Sequence, residues 1–110
     1  MKTIMRIYRP AQSCEVQEID LPEDPGYRRL KKIIVPLLDG ADLEHVAFLF
    51  EGRPADMFVD ETSKIKGLPR NDEATAIYRA NWLSRHPQAD PESLADIAGT
   101  AIVFDRQVWF

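Results

Sequence analysis

The chain has 110 residues, of which 45% are apolar and 29% charged, with fourteen basic against eighteen acidic side chains and a net charge of -4. That length and balance point to one domain with one core, burying roughly 65% of its unfolded surface, and exclude the polar, aromatic-poor signature of disorder. The acidic total opposes sequence-independent binding to phosphate backbones, and no apolar run approaches the roughly 20 residues of a membrane span.

The N-terminal segment interleaves basic and apolar residues with no signal-peptide stretch after it, so the expected location is the cytoplasm. Cys14 is the only cysteine, which rules out an internal disulfide or a cysteine cluster for zinc and leaves a packed thiol as the plain expectation.

In chain order, Lys2 to Tyr8 alternates at strand spacing, Pro10 to Ser13 turns the chain, and Glu15 to Asp20 returns it as a β-hairpin. Asp24 followed by Pro25 predicts a helix start with Asp24 as N-cap. Leu30, Ile33, Ile34 and Leu37 then recur at helical spacing, with Arg28, Arg29, Lys31 and Lys32 forming a wet basic face. Pro36 must kink or interrupt this helix, and Asp39-Gly40 ends it.

Leu43 to Phe50 has apolar residues on both faces, which predicts a central strand. Glu51-Gly52-Arg53 reads as a turn and Ala55 to Asp60 as the second strand of another hairpin. After the loop Ser63 to Arg70, Asn71 stands at an N-cap position with Asp72 and Glu73 in the first turn. Ala76, Ile77, Ala80 and Leu83 are the expected buried stripe of that helix, Tyr78 and Trp82 adjoin one another, and the helix stops before His86-Pro87.

Asp90-Pro91 repeats the cap-and-proline device for a short helix reaching Gly99, Thr100 to Phe104 is a compact strand, and Arg106 to Phe110 is expected to return antiparallel to it. The expected fold is therefore α+β. A mixed or antiparallel sheet of about five to six strands is packed by two main helices, in the order β-β-α-β-β-α-(α)-β-(β).

Met57-Phe58-Val59-Asp60-Glu61, Gly67-Leu68-Pro69-Arg70-Asn71, Ala74 to Tyr78 and Ile97 to Val103 together resemble a family of small bacterial, plasmid and phage proteins. That family is the domain of unknown function DUF3846. The resemblance runs from about Met5 to Phe104, and the chain departs from it by an insertion at Trp82 to Ser93 and a tail at Arg106 to Phe110. It implies a strand pair and helix, an acidic turn, a Gly-Leu-Pro-x-Asn helix start, a closing Gly-Thr-Ala strand, and a setting in mobile elements. It implies no activity.

Four constellations carry chemistry. Arg70 and Asn71, with Tyr78 and Arg79 on the following helix, suggest a site for a nucleotide-like anion at a helix N-terminus; the commoner alternative is a loop that caps a helix. Asp60, Glu61, Asp72 and Glu73 flank that loop as carboxylates, with solvated carboxylates the commoner outcome. Asp56 and Asp60 share a strand face, but no histidine is expected near them and hard-ion sites need more oxygens, so no metal or cofactor is expected. His45 and His86 have no cysteine or serine partner at a recognised spacing.

Arg28, Arg29, Lys31 and Lys32, joined by Arg6 and Arg9 and with Tyr8 and Tyr27 as stacking surfaces, are the residues for nucleic-acid binding. Trp82, Trp109 and Phe110 are the residues for contact with another chain. With no nucleophile, base and oxyanion site assembled, the expected function is a non-enzymatic protein-binding or regulatory module that meets a protein partner or a second copy of itself. The alternatives are an anion binder or hydrolase, and a nucleic-acid accessory protein.

Overall fold

The computed structural model describes residues 1–38 and 43–110. The expected helix stop at Asp39-Gly40 lies outside the described residues. Strands β1 (Lys2–Tyr8), β2 (Glu15–Asp20), β3 (Leu43–Phe50), β4 (Arg53–Asp60) and β5 (Ala101–Phe104) form one antiparallel sheet in the order β2-β1-β5-β4-β3. Helices α1 (Tyr27–Ile34) and α2 (Asp72–Arg85) pack on opposite faces of it, giving an α+β fold.

Alternation within strands divides the core in two. Met5, Ile7, Phe58, Ile102 and Phe104 point to the α1 side, where Leu21, Leu30, Ile34 and Val108 complete a buried cluster. Phe48, Ala55, Met57, Val59, Ala101 and Val103 point to the α2 side and meet Ala74 and Ile97. β5 is buried at all four positions, as a short strand covered on both faces and paired on both edges must be.

The two hairpins form where expected, but β3 is an edge strand and not a central one. Its apolar residues on both faces report two layers of cover, with Val46, Phe48 and Phe50 toward α2 and Leu43 toward α1. Cover on the faces says nothing about pairing along the edges. The β3–β4 turn is the two-residue loop Glu51-Gly52, closed by Phe50 opposite Arg53, with positive φ at Glu51 (51°) and Gly52 (80°). Positive φ at both central positions is the hairpin geometry that matches strand twist.

α1 begins later than its proline suggests. The Asp24 carboxylate accepts from Gly26 N at 3.1 Å, and Gly26 takes φ 81°, ψ 155°, so Asp24 shapes a turn and Gly26 occupies the cap position. Only glycine enters that conformation cheaply. Pro36 interrupts the helix: α1 ends at Ile34 and Val35–Leu37 form a single 3-10 turn.

α2 starts at the expected cap, where Asn71 Oδ1 accepts from Ala74 N at 3.1 Å. Its buried side is rotated from the expected stripe. Ala74, Thr75 and Asn81 are buried while Ala76 and Ala80 are exposed. Thr75 Oγ1 accepts from Ile97 N at 2.9 Å and Asn81 Oδ1 accepts from Leu49 N at 3.0 Å, so polar side chains bind this helix to neighbouring backbone.

The expected short helix toward Gly99 reduces to one 3-10 turn, Pro91–Ser93, capped by Asp90. Beyond it the backbone is drawn against the start of α2 by Asn71 N to Ile97 O and Gly99 N to Pro69 O, both 2.8 Å. Arg106 to Phe110 makes no strand. Both edges of β5 are already taken by β1 and β4, so an antiparallel return has nowhere to pair.

Candidate functional site

The loop after β4 and the N-terminal half of α2 close a cleft with the Ala95–Ala98 segment. Asp60, at the end of β4, is buried and fixes the loop: its Oδ1 accepts from Thr62 N and Thr62 Oγ1, both at 2.9 Å, and its Oδ2 accepts from Lys66 Nζ at 2.6 Å. Burial raises the Asp60 pKa, but the bonds from Lys66 and Thr62 outweigh it and hold the carboxyl below its ordinary value. Ser63 is tied by its backbone, with Ser63 N donating to Asp60 O at 3.2 Å and Leu68 N donating to Ser63 O at 3.1 Å.

The cleft has a volume of about 230 Å³. Val46, Val59, Ile97 and Ala98 give it apolar walls, and Glu44, Glu61, Ser63, Lys64, Tyr78 and Asp96 bring polar groups to it. Ser63 is only 3% exposed, and its hydroxyl has no hydrogen-bond partner. An unpaired buried hydroxyl costs about 1–3 kcal/mol.

The residues singled out for an anion fall into different roles around this cleft. Asn71 is fully used inside the fold: its amide donates to Tyr8 O and Gly99 O, both at 2.8 Å, while its oxygen caps α2. Arg79 donates to Asp96 Oδ1 at 2.7 Å and to Leu94 O at 3.1 Å. Arg70 faces Asp72 at 3.3 Å and Asp96 at 3.9 Å. Of the four, Tyr78 lines the cleft. Sequence reasoning missed Ser63, Glu44, Lys64 and Asp96, because their convergence depends on how loop, β3 and the 94–98 segment meet.

A second cluster lies at the β3 edge. Asp56 is buried; its Oδ1 meets His45 Nε2, and its Oδ2 accepts from Val108 N at 2.7 Å and Trp109 N at 2.9 Å. Trp109 stacks on His45 with ring centroids 5.3 Å apart, and Tyr27 meets the indole edge-on at 5.5 Å. A histidine therefore does neighbour Asp56. The hairpin register contained that signal, since the Glu51-Gly52 turn sets His45 opposite Phe58, one diagonal step from Asp56 on the same face. The adjoining pocket is lined by residues that include Arg85, Gln107, Leu49 and Pro54, with no hydroxyl or thiol among its described residues.

The remaining candidates separate. Trp109 belongs to the α1 side of the sheet, whereas Trp82 sits on α2, stacked on His86 at 4.2 Å, and Phe110 is 63% exposed. Trp109 and Phe110 line one hollow beside Tyr27 and Leu30, and Trp82 stands apart from it on α2. Arg28, Arg29, Lys31 and Lys32 lie on α1, with Lys31 Nζ 5.6 Å from the Tyr27 ring centre. Arg6 and Arg9 do not join them. Arg6 points to the α2 side, its guanidinium 5.2 Å from the Phe50 ring centre, and Arg9 pairs with Glu15 at 3.1 Å.

β3 leaves its outer edge open around His45 and Ala47, and α2 closes it at Leu49. Leu49 N bonds to Asn81 and so faces away from β4. Because inward and outward groups alternate along an antiparallel strand, Ala47 and His45 also point their backbone groups outward. The other edge of the sheet, β2, is guarded by Glu15, Glu18 and Asp20, while β3 carries one carboxylate, Glu44. Among the described residues, no helix is long and apolar enough to cross a membrane and no acid, histidine and cysteine cluster suits a metal ion. No protein-family model, curated protein or solved structure matches the chain.

Proposed function

We propose that the protein is a non-catalytic module that works through protein contacts, by adding a strand of another chain to the outer edge of β3. The observation that carries this reading is the outward-facing, lightly charged edge of an eight-residue strand. Such an edge is a template for pairing, and folded proteins normally block it with charge, proline or a bulge.

The occupant is a second copy of the chain. Antiparallel self-pairing about Val46 sets His45 opposite Ala47 and Glu44 opposite Phe48, so like charges never face each other, and the new ladder stops short of Leu49, whose N–H stays with Asn81. The pocket beside His45 and Asp56 offers those groups no nucleophile among the described residues, which supports binding over catalysis. The mobile-element setting implied by the DUF3846 resemblance belongs to the same proposal.

Ala47→Pro tests it. The substitution removes an outward N–H and leaves the β3–β4 bonds in place, since proline is tolerated at a sheet edge. Size-exclusion chromatography with light scattering should show a concentration-dependent dimer for the wild type and a folded monomer for Ala47→Pro. A wild type that stays monomeric at millimolar concentration, or a variant that still dimerises, overturns the reading.

A further inference from the structure

The outer side of α1 carries positive charge that the fold does not use. Leu30 and Ile34 are buried against the sheet, so Arg28, Arg29, Lys31 and Lys32 are turned to solvent. Among the described residues none of the four has an ion-pair partner, although the chain has a net charge of -4. Arg28, Lys31 and Lys32 line a groove of about 640 Å³ whose other walls are Tyr27, Val35 and Pro36. Next to it is the hollow of about 170 Å³ that Tyr27 and Leu30 form with Val108, Trp109 and Phe110. Tyr27 belongs to both and is 51% exposed, so the cationic groove and the aromatic hollow are one continuous surface.

We propose that this surface docks a short acidic peptide segment of another protein, with its carboxylates along the groove and one aliphatic side chain in the hollow. Charge complementarity selects the acidic residues, and the Tyr, Trp and Phe side chains of the hollow are of the kind that anchors a protein contact. Two other anionic partners fit less well. A single-stranded nucleic acid needs free ring faces on which to stack its bases, whereas Lys31 already lies over the Tyr27 ring and His45 is stacked on Trp109. A long polyanion would also meet the acidic remainder of the molecule, and screening beyond about 8–10 Å confines the attraction of α1 to a ligand that lies on it. An anionic lipid surface takes up helices that expose an apolar face, and α1 buries its own in the core. The proposal goes beyond the pairing of β3, and no residue of this surface lies on that strand.

The test is a fluorescence-anisotropy titration of the whole chain against a fluorescein-labelled peptide in which one leucine is flanked by glutamates. Binding should saturate and should weaken as salt is raised. Replacing the peptide's leucine by alanine should cost about tenfold in affinity, and replacing its glutamates by glutamines should abolish binding. In the protein, the double substitution Lys31→Gln, Lys32→Gln should weaken binding by about fivefold. The double substitution Arg53→Gln, Lys64→Gln, which removes the same charge from exposed positions elsewhere, should leave it unchanged. Equal weakening by the two pairs of substitutions, indifference to the leucine, or tighter binding of an oligothymidylate of the same charge or of phosphatidylserine vesicles would each overturn the assignment.

Discussion

Asp60 shows how a single buried carboxylate organises a loop. Its two oxygens take three donors from Thr62 and Lys66, and those bonds keep its pKa below the ordinary value against the opposing effect of burial. A carboxyl whose pKa is lower folded than unfolded adds stability that is complete above the unfolded value, about 3.9, and is lost as pH falls through the folded one. Urea unfolding should therefore find Asp60→Asn less stable than wild type by about 1–3 kcal/mol at about pH 6, with the gap narrowing below about pH 4. A gap independent of pH would remove Asp60 from the acid response.

Asn71 was legible from sequence as a helix cap, and it is one. Its second task, donating to Tyr8 and Gly99, was not, because those acceptors arrive from residues far along the chain. The same holds for Ser63: nothing about a serine in a polar loop announces that its hydroxyl ends up sealed.

At the scale of elements, local chemistry was readable and pairing was not. Both hairpins follow from alternation and turn residues, and the Asn71 start and His86-Pro87 stop of α2 follow from cap and proline chemistry. The errors came where partners decide. α2 turns Thr75 and Asn81 inward because Ile97 and Leu49 offer backbone groups that need bonds, and a hydrophobic stripe is blind to that. The β3–β4 turn also retains a local conflict, since Glu51 holds φ 51°, a conformation that asparagine tolerates better. Glu51→Asn should stabilise the fold by about 0.5–1 kcal/mol, read as a higher urea midpoint with unchanged slope. An unchanged or lower midpoint would show that the turn is not strained.

At the scale of the whole molecule, Asp56 is where β3, β4 and the C-terminal tail are joined. Asp56→Ala leaves two backbone N–H groups and His45 without their acceptor, and should cost about 3 kcal/mol. In a Trp82→Phe background, Trp109 emission should shift to the red as the tail loosens. A small loss with unchanged emission would show that Val108 alone, fully buried in the core, holds the tail. The fold class was open to sequence reading because alternation and helix spacing suffice for it. The strand order was not, since it depends on β5 entering between two hairpins that are far apart in the chain.

That order has a consequence for biosynthesis. The sheet's middle strand, β5, is the last of the five in the chain, and each hairpin keeps one edge for it. A polypeptide emerging from the ribosome can close both hairpins early, yet it holds two apolar half-sheets apart until Ala101–Phe104 arrives. Until that strand pairs, each hairpin carries an unsatisfied edge of the kind that promotes aggregation.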